Sequence, residues 1–242
     1  MEIVSKRKLG SNMIVAFTYG YVYSILFILC LGIFAAITGN ITMIVIDIVR
    51  LDTQNYKIDM FRIFSILCGF VGVVVSQTLI IQTQRQSKNI HLFLRRLNLL
   101  QAVFSLALVI VYFFVHRFIN ALLAIILING VLSLLMGIQV NNTETKICSK
   151  TYNNISFASN LLRISESMAE IIFQKIYRKS SSTVIEESFA HIVVIIFILC
   201  SMSIGIFMGS LMCNHEGVKA IYGIPVFFFL AYGITLLKDK KK

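Results

Sequence analysis

Six long apolar runs, at residues 13–37, 61–82, 97–115, 118–140, 189–212 and 218–237, follow one another with little polar sequence between most of them. A helix rising about 1.5 Å per residue needs roughly 20 apolar residues to cross a hydrocarbon layer about 30 Å thick, and most of these runs are long enough. Composition points the same way. A soluble domain carries about 25% charged residues, whereas this chain carries 14%, with a mean hydropathy of +0.84. The expected fold is an all-α polytopic membrane protein with six transmembrane helices, and the lipid bilayer is its first partner.

The net charge of +11 has two readings. In a soluble chain it would point to nucleic acid. In a membrane chain it reports topology, because Lys and Arg gather in cytoplasmic loops. Six spans put both termini on one side. Placing that side in the cytoplasm puts 17 of the 22 Lys and Arg inside. No nucleic-acid-binding motif competes. The basic start followed by an apolar run resembles a signal peptide, but 13–37 is long for one and no A-x-A site follows, so it reads as a retained span. Cys30, Cys68, Cys148, Cys200 and Cys213 form no CxxC pair. Neither a metal site, nor a cofactor motif, nor an acid–base or nucleophile constellation is visible, which leaves an enzyme the least supported class.

The stretch "TGNIT" at 38–42 is echoed by "YNNIS" at 152–156. Gly39 aligns with Asn153, and Gly and Asn are the residues that most readily take positive φ. Each stretch is expected to end an apolar run and start a new helix. A second echo sets "GVVVS" at 72–76 beside "GIFMG" at 205–209. Gly72 with Ser76, and Gly205 with Gly209, form small-xxx-small pairs that let helices approach closely in lipid. Each half then reads as three spans with a break after the first. Three is odd, so the halves enter the membrane from opposite sides, as in the inverted repeats of secondary transporters. The first half occupies residues 1–96 up to the start of the third span at 97–115, the second occupies 118–237, and 238–242 form a basic cytoplasmic tail. In the polar stretch 141–188, apolar residues at helical spacing predict an amphipathic helix over 155–178, lying against the bundle or the inner leaflet. "RKSSSTVIEES" then serves as a short polar link.

At this point the chain resembles a known family. "AFTYGYVYSILFILCLGIFAAITGN" at 16–40 is similar to the opening of the YoaK family of six-span bacterial membrane proteins, whose apolar run ends in Thr-Gly-Asn. "LLMGIQVNN" at 134–142 is similar to the family's Met-Gly-x-Gln-Asn stretch, and "SIGIFMG" at 203–209 to its glycine-spaced fifth span. The chain departs from the family at Tyr23, where an aspartate is usual, and at Val140, where Asn is. The resemblance implies six spans and a bacterial plasma-membrane location with both termini cytoplasmic. It implies no substrate.

A helix start leaves four backbone N–H groups without intrahelical partners, and these favour an anion. Thr38, Gly39 and Asn40 in one half, and Asn153 and Asn154 after Tyr152 in the other, are candidate substrate contacts at the repeat interface; plain capping is the alternative. Asp47 follows in an otherwise apolar run. It is either an intramembrane carboxylate, functional by default, or an interfacial one paired with Arg50 at i+3. Tyr23 and Gln139 are candidate cavity residues, against an aromatic belt and interhelical hydrogen bonding. The expected function is a small permease or transporter for a small polar or anionic solute. The alternative is a non-transporting scaffold or stress-related membrane protein that uses 155–178 as a partner surface.

Overall fold

The computed structural model describes residues 6–30, 37–49, 56–85, 90–115, 121–140, 144–147, 150–153, 157–177 and 182–236. Its helices, in chain order, are α1 (Lys6–Cys30), α2 (Ile37–Val49), α3 (Tyr56–Arg85), α4 (Ile90–Val115), α5 (Ala121–Val140), α6 (Phe157–Tyr177), α7 (Ser182–Glu216) and α8 (Gly223–Leu236). A short hairpin, β1 (Glu144–Ile147) with β2 (Lys150–Asn153), joins α5 to α6, and a 3-10 turn, Gly217–Tyr222, joins α7 to α8.

Apolar segments without internal breakers satisfy every backbone donor and acceptor within themselves only as helices, the form lipid demands. Asn12–Leu29, Ile58–Gln82, Arg96–Phe114 and the run Val184–Ile234, which holds both α7 and α8, are long and apolar enough to cross a membrane; Leu123–Ile138 of α5 is apolar but shorter. The outward surface is apolar as well. Phe70 is 61% exposed, Phe114 65% and Phe207 62%. Water tolerates such a belt poorly, whereas a bilayer is its natural solvent. The chain is an integral membrane protein.

The core gathers around α1, which packs on α7, α8 and α5. Ile25 and Leu26 of α1, Leu132 and Leu135 of α5, Ile195 and Ile198 of α7 and Ile224 of α8 are sealed from solvent. Further pairs are α3 with α5, α4 with α8, α6 with α7, and, less extensively, α4 with α5 and α2 with α3. Tyr21 ties the turn before α8 to α1. Its Oη donates to the Ala220 carbonyl at 2.8 Å, and its ring meets Phe227 edge-on at 4.8 Å.

The structure differs from the sequence expectation in three places. The span expected over 13–37 is helical as far as Cys30, with 31–36 outside the described residues, while Thr38, Gly39 and Asn40 lie inside α2 rather than ahead of a new helix. A first helical turn accommodates Gly and capping polar residues readily. The second difference is that the described chain is not purely helical. Tyr152 and Asn153, expected at a helix start, lie in β2, where they face Thr145 and Glu144. Thr145, Ile147, Thr151 and Tyr152 are β-branched or aromatic, and a two-residue connection suits a hairpin. The helix expected over 155–178 is described from Phe157 to Tyr177. The third is the polar link before the fifth span, which is helical from Ser182, so α7 runs 35 residues without interruption. It stops where Gly217 takes a left-handed φ of 56°, a conformation that terminates helices and that glycine adopts without steric cost.

Candidate functional site

Two helix pairs approach until their backbones touch, and small residues make that approach possible. In the pair α1–α7, a Cβ on Gly20 would strike the carbonyl oxygen of Met202, and one on Gly205 that of Phe17. In the pair α3–α5, a Cβ on Gly72 would strike the carbonyl oxygen of Leu134, and one on Gly137 that of Gly69. The two seams follow one rule. Each glycine abuts the residue three positions before the glycine opposite. Both pairs run parallel, since contacts advance together along each partner: Ser201 Oγ donates to Met13 O at 2.6 Å, and further along Gly209 meets Tyr21 and Ser24. In the other pair Asn129 Nδ2 donates to Phe61 O at 3.1 Å, and Ser65 and Ser133 share a 2.7 Å hydrogen bond one turn on. Ser76 is also buried, its Oγ donating back to Val73 O at 3.1 Å.

Away from the glycine contacts the buried surface is polar in places. On α4, Asn98, Gln101 and Ser105 recur at helical spacing and are all buried. Gln101 Nε2 donates to the Leu135 carbonyl of α5 at 3.1 Å, while its Oε1 finds no partner among the described residues. Tyr19 Oη on α1 is likewise buried without a partner among the described residues. Leaving a buried polar atom unsatisfied costs about 1–3 kcal/mol, so each of these oxygens marks a place where a water or a polar solute would be stabilised. No buried Lys or Arg occurs among the described residues.

A charged cluster sits where α2 meets α3. Arg62 Nη1 donates to Asp47 Oδ2 at 3.1 Å and to Asp59 Oδ1 at 2.8 Å. All three side chains are largely withdrawn from solvent, at 14%, 6% and 13% exposure for Arg62, Asp47 and Asp59. Two carboxylates therefore share one guanidinium. Arg50, the partner expected for Asp47, lies outside the described residues.

The structure scatters the residues singled out in the sequence. Tyr23 is half-buried in α1, one turn beyond Tyr19. Thr38, Gly39 and Asn40 belong to the first turn of α2, Gln139 to the last turn of α5 and Asn153 to β2, while their side chains, and Asn154 altogether, lie outside the described residues. Gly72, Ser76, Gly205 and Gly209 are buried at the two seams. Sequence reasoning missed Gly20, Gly137, Arg62, Asp59 and Gln101. A signal existed for the glycines, since Gly20 and Ser24 repeat the Gly-xxx-Ser spacing of Gly72 and Ser76, and Ser133 and Gly137 the Ser-xxx-Gly spacing of Ser201 and Gly205. Nothing local marks Arg62 as a partner of Asp47.

A family model described as a protein of unknown function (DUF1275) matches residues 12–234. No curated protein and no solved structure matches the chain.

Proposed function

For a chain that belongs to the DUF1275 family of proteins of unknown function, we propose a permease of the YoaK type: six spans in two inverted halves, both termini cytoplasmic, in a bacterial plasma membrane, moving a small polar solute. One observation carries this reading: the packing survives exchange of the halves. Replacing α1 by α5, α2 by α6, α3 by α7 and α4 by α8 turns the α1–α7 seam into the α5–α3 seam, α1 on α8 into α5 on α4, and α2 on α3 into α6 on α7. The pairs α1–α5 and α4–α8 map onto themselves. The order is preserved along the chain, and Gly20 maps to Gly137 and Gly205 to Gly72 with their carbonyl contacts intact. The alternative exchange of α1 with α3 and α7 with α5 would require α3 to pack on α7 as α1 packs on α5, and among the described residues they make at most marginal contact. One pair departs from the scheme, because α3 touches α4 directly whereas α7 and α8 are joined through the 3-10 turn.

Halves related in this way favour alternating access, with the solute bound near the midplane where they meet. The unpartnered oxygens of Tyr19 and Gln101 supply neutral hydrogen-bonding groups in that interior. The described charge nearest to serving an anion, Arg62, is already shared by two carboxylates. The solute class that fits best is therefore neutral and polar, carrying both a donor and an acceptor. Purified protein in liposomes tests this. Uptake of a panel of small neutral solutes is expected to fall about tenfold or more in Gln101→Leu and in Tyr19→Phe, as removal of buried hydrogen-bonding groups implies. Asn40→Leu and Asn154→Leu test the helix-start residues in the same assay. Flux equal to the unaltered protein in all four variants refutes the assignment.

A second reading rests on α6, which exposes Leu161, Leu162, Ile172 and Phe173. A membrane scaffold would use that flank for a partner, and would show no saturable flux for any solute.

A further inference from the structure

Helix α2 is apolar on the outside and charged on the inside. Ile41, Val45, Ile48 and Val49, at helical spacing, form an exposed stripe, with Ile48 at 63% and Val49 at 76% exposure. Asp47, the helix's one charged residue, points the other way and is 5% exposed. A water-bathed helix does the reverse. The inward side of α2 is also the polar one, because Asp47 joins the Arg62–Asp59 pair of α3 through its 3.1 Å contact.

We infer that α2 is embedded in the bilayer with its Ile41–Val45–Ile48–Val49 stripe against phospholipid acyl chains, and that the Asp47–Arg62–Asp59 cluster anchors it to α3. Three observations select acyl chains as the occupant. The stripe adjoins a helix whose own exposed side chains, Ile63, Phe64, Leu67 and Phe70, belong to a membrane-crossing segment. The single carboxylate of α2, which lipid excludes at high cost, is turned away and paired with Arg62. A related but less strict arrangement occurs at α6, where Glu166 and Lys175 stay exposed. There Ser167 bonds His191 at 3.0 Å and Ser188 donates to Glu170 at 2.7 Å on the α7 side, while Leu161, Leu162, Ile172 and Phe173 face outward. A helix with one apolar and one polar flank settles into the acyl-chain boundary of a membrane.

The chain contains no tryptophan, so one introduced residue reports alone. Ile48→Trp, with Val45→Trp as the second probe, is reconstituted in phosphatidylcholine vesicles with and without bromine on the acyl chains. Emission is expected to drop at least about twofold in the brominated vesicles, with little effect of aqueous iodide, as for an indole among acyl chains. Quenching by iodide but not by bromine overturns the inference in favour of water. Quenching by neither overturns it in favour of a second copy of the chain covering the stripe. Adding Arg62→Gln to Ile48→Trp is expected to raise iodide access about twofold as the anchor is lost; unchanged access, with helical content retained by circular dichroism, overturns the anchoring role. None of these outcomes depends on whether the protein moves a solute.

Discussion

The two seams obey one glycine rule but are fastened differently. The α1–α7 seam lies in the middle of the bundle, where Ile25, Leu26, Ile195 and Ile198 are sealed and the Phe17, Tyr21 and Phe227 rings pack around it. In the α3–α5 seam α5 is enclosed but α3 lies at the edge, with Phe64, Leu67 and Phe70 turned outward. This seam relies on polar groups: the Ser65–Ser133 bond and Asn129 to the Phe61 carbonyl, with Ser133 also donating to Asn129 within α5 and the Arg62 cluster tying the same end of α3 to α2. Lipid tails are as apolar as leucine, so a helix at the rim gains little from burying apolar surface and needs hydrogen bonds and close backbone contact instead. A helix enclosed by three neighbours is held by packing from every side.

That contrast can be broken or sharpened by substitution, read as unfolding free energy in lipid or mild detergent. The largest effect is expected from Arg62→Met, which removes the guanidinium shared by two carboxylates and should cost roughly 3–5 kcal/mol; Asp47→Asn, which leaves the Arg62–Asp59 pair in place, should cost much less. Equal costs would show that the cluster does not act as a unit. Next come Gly137→Leu and Gly205→Leu, each expected to lose about 3 kcal/mol because the obstacle is backbone that cannot move aside. If the rim seam tolerates the leucine by swinging outward into lipid while the central one does not, the contrast extends to rigidity. Asn129→Leu follows at about 1 kcal/mol, and Ser201→Ala, in the packed seam, at about 0.6 kcal/mol. A reversal of that last order would show that packing, not polar contact, holds the rim.

Much of the membrane architecture is legible in the sequence, because an apolar run long enough to cross lipid is a signal carried by consecutive residues. The close approach of Gly72 and Gly205 is legible for the same reason, as small residues four apart mark one helix face. What escapes is what depends on a second segment. Arg62 reaches Asp47 across fifteen residues and a change of helix, and no spacing rule covers that distance. Gln101 reads as one more polar residue in a span until the Leu135 carbonyl is seen to occupy its amide nitrogen while its oxygen stays unpartnered.

The unbroken length of α7 carries a mechanical implication. Thirty-five residues make a rod about 52 Å long, set in an oily film about 30 Å deep. Such a rod must lean, or stand proud of the surface like a mast. The end nearest Ser188 and His191 carries α6 lashed alongside by two hydrogen bonds. Any change in the lean of the mast, whether from film thickness or from motion at its glycine seam, would sweep α6 across the membrane surface like a boom.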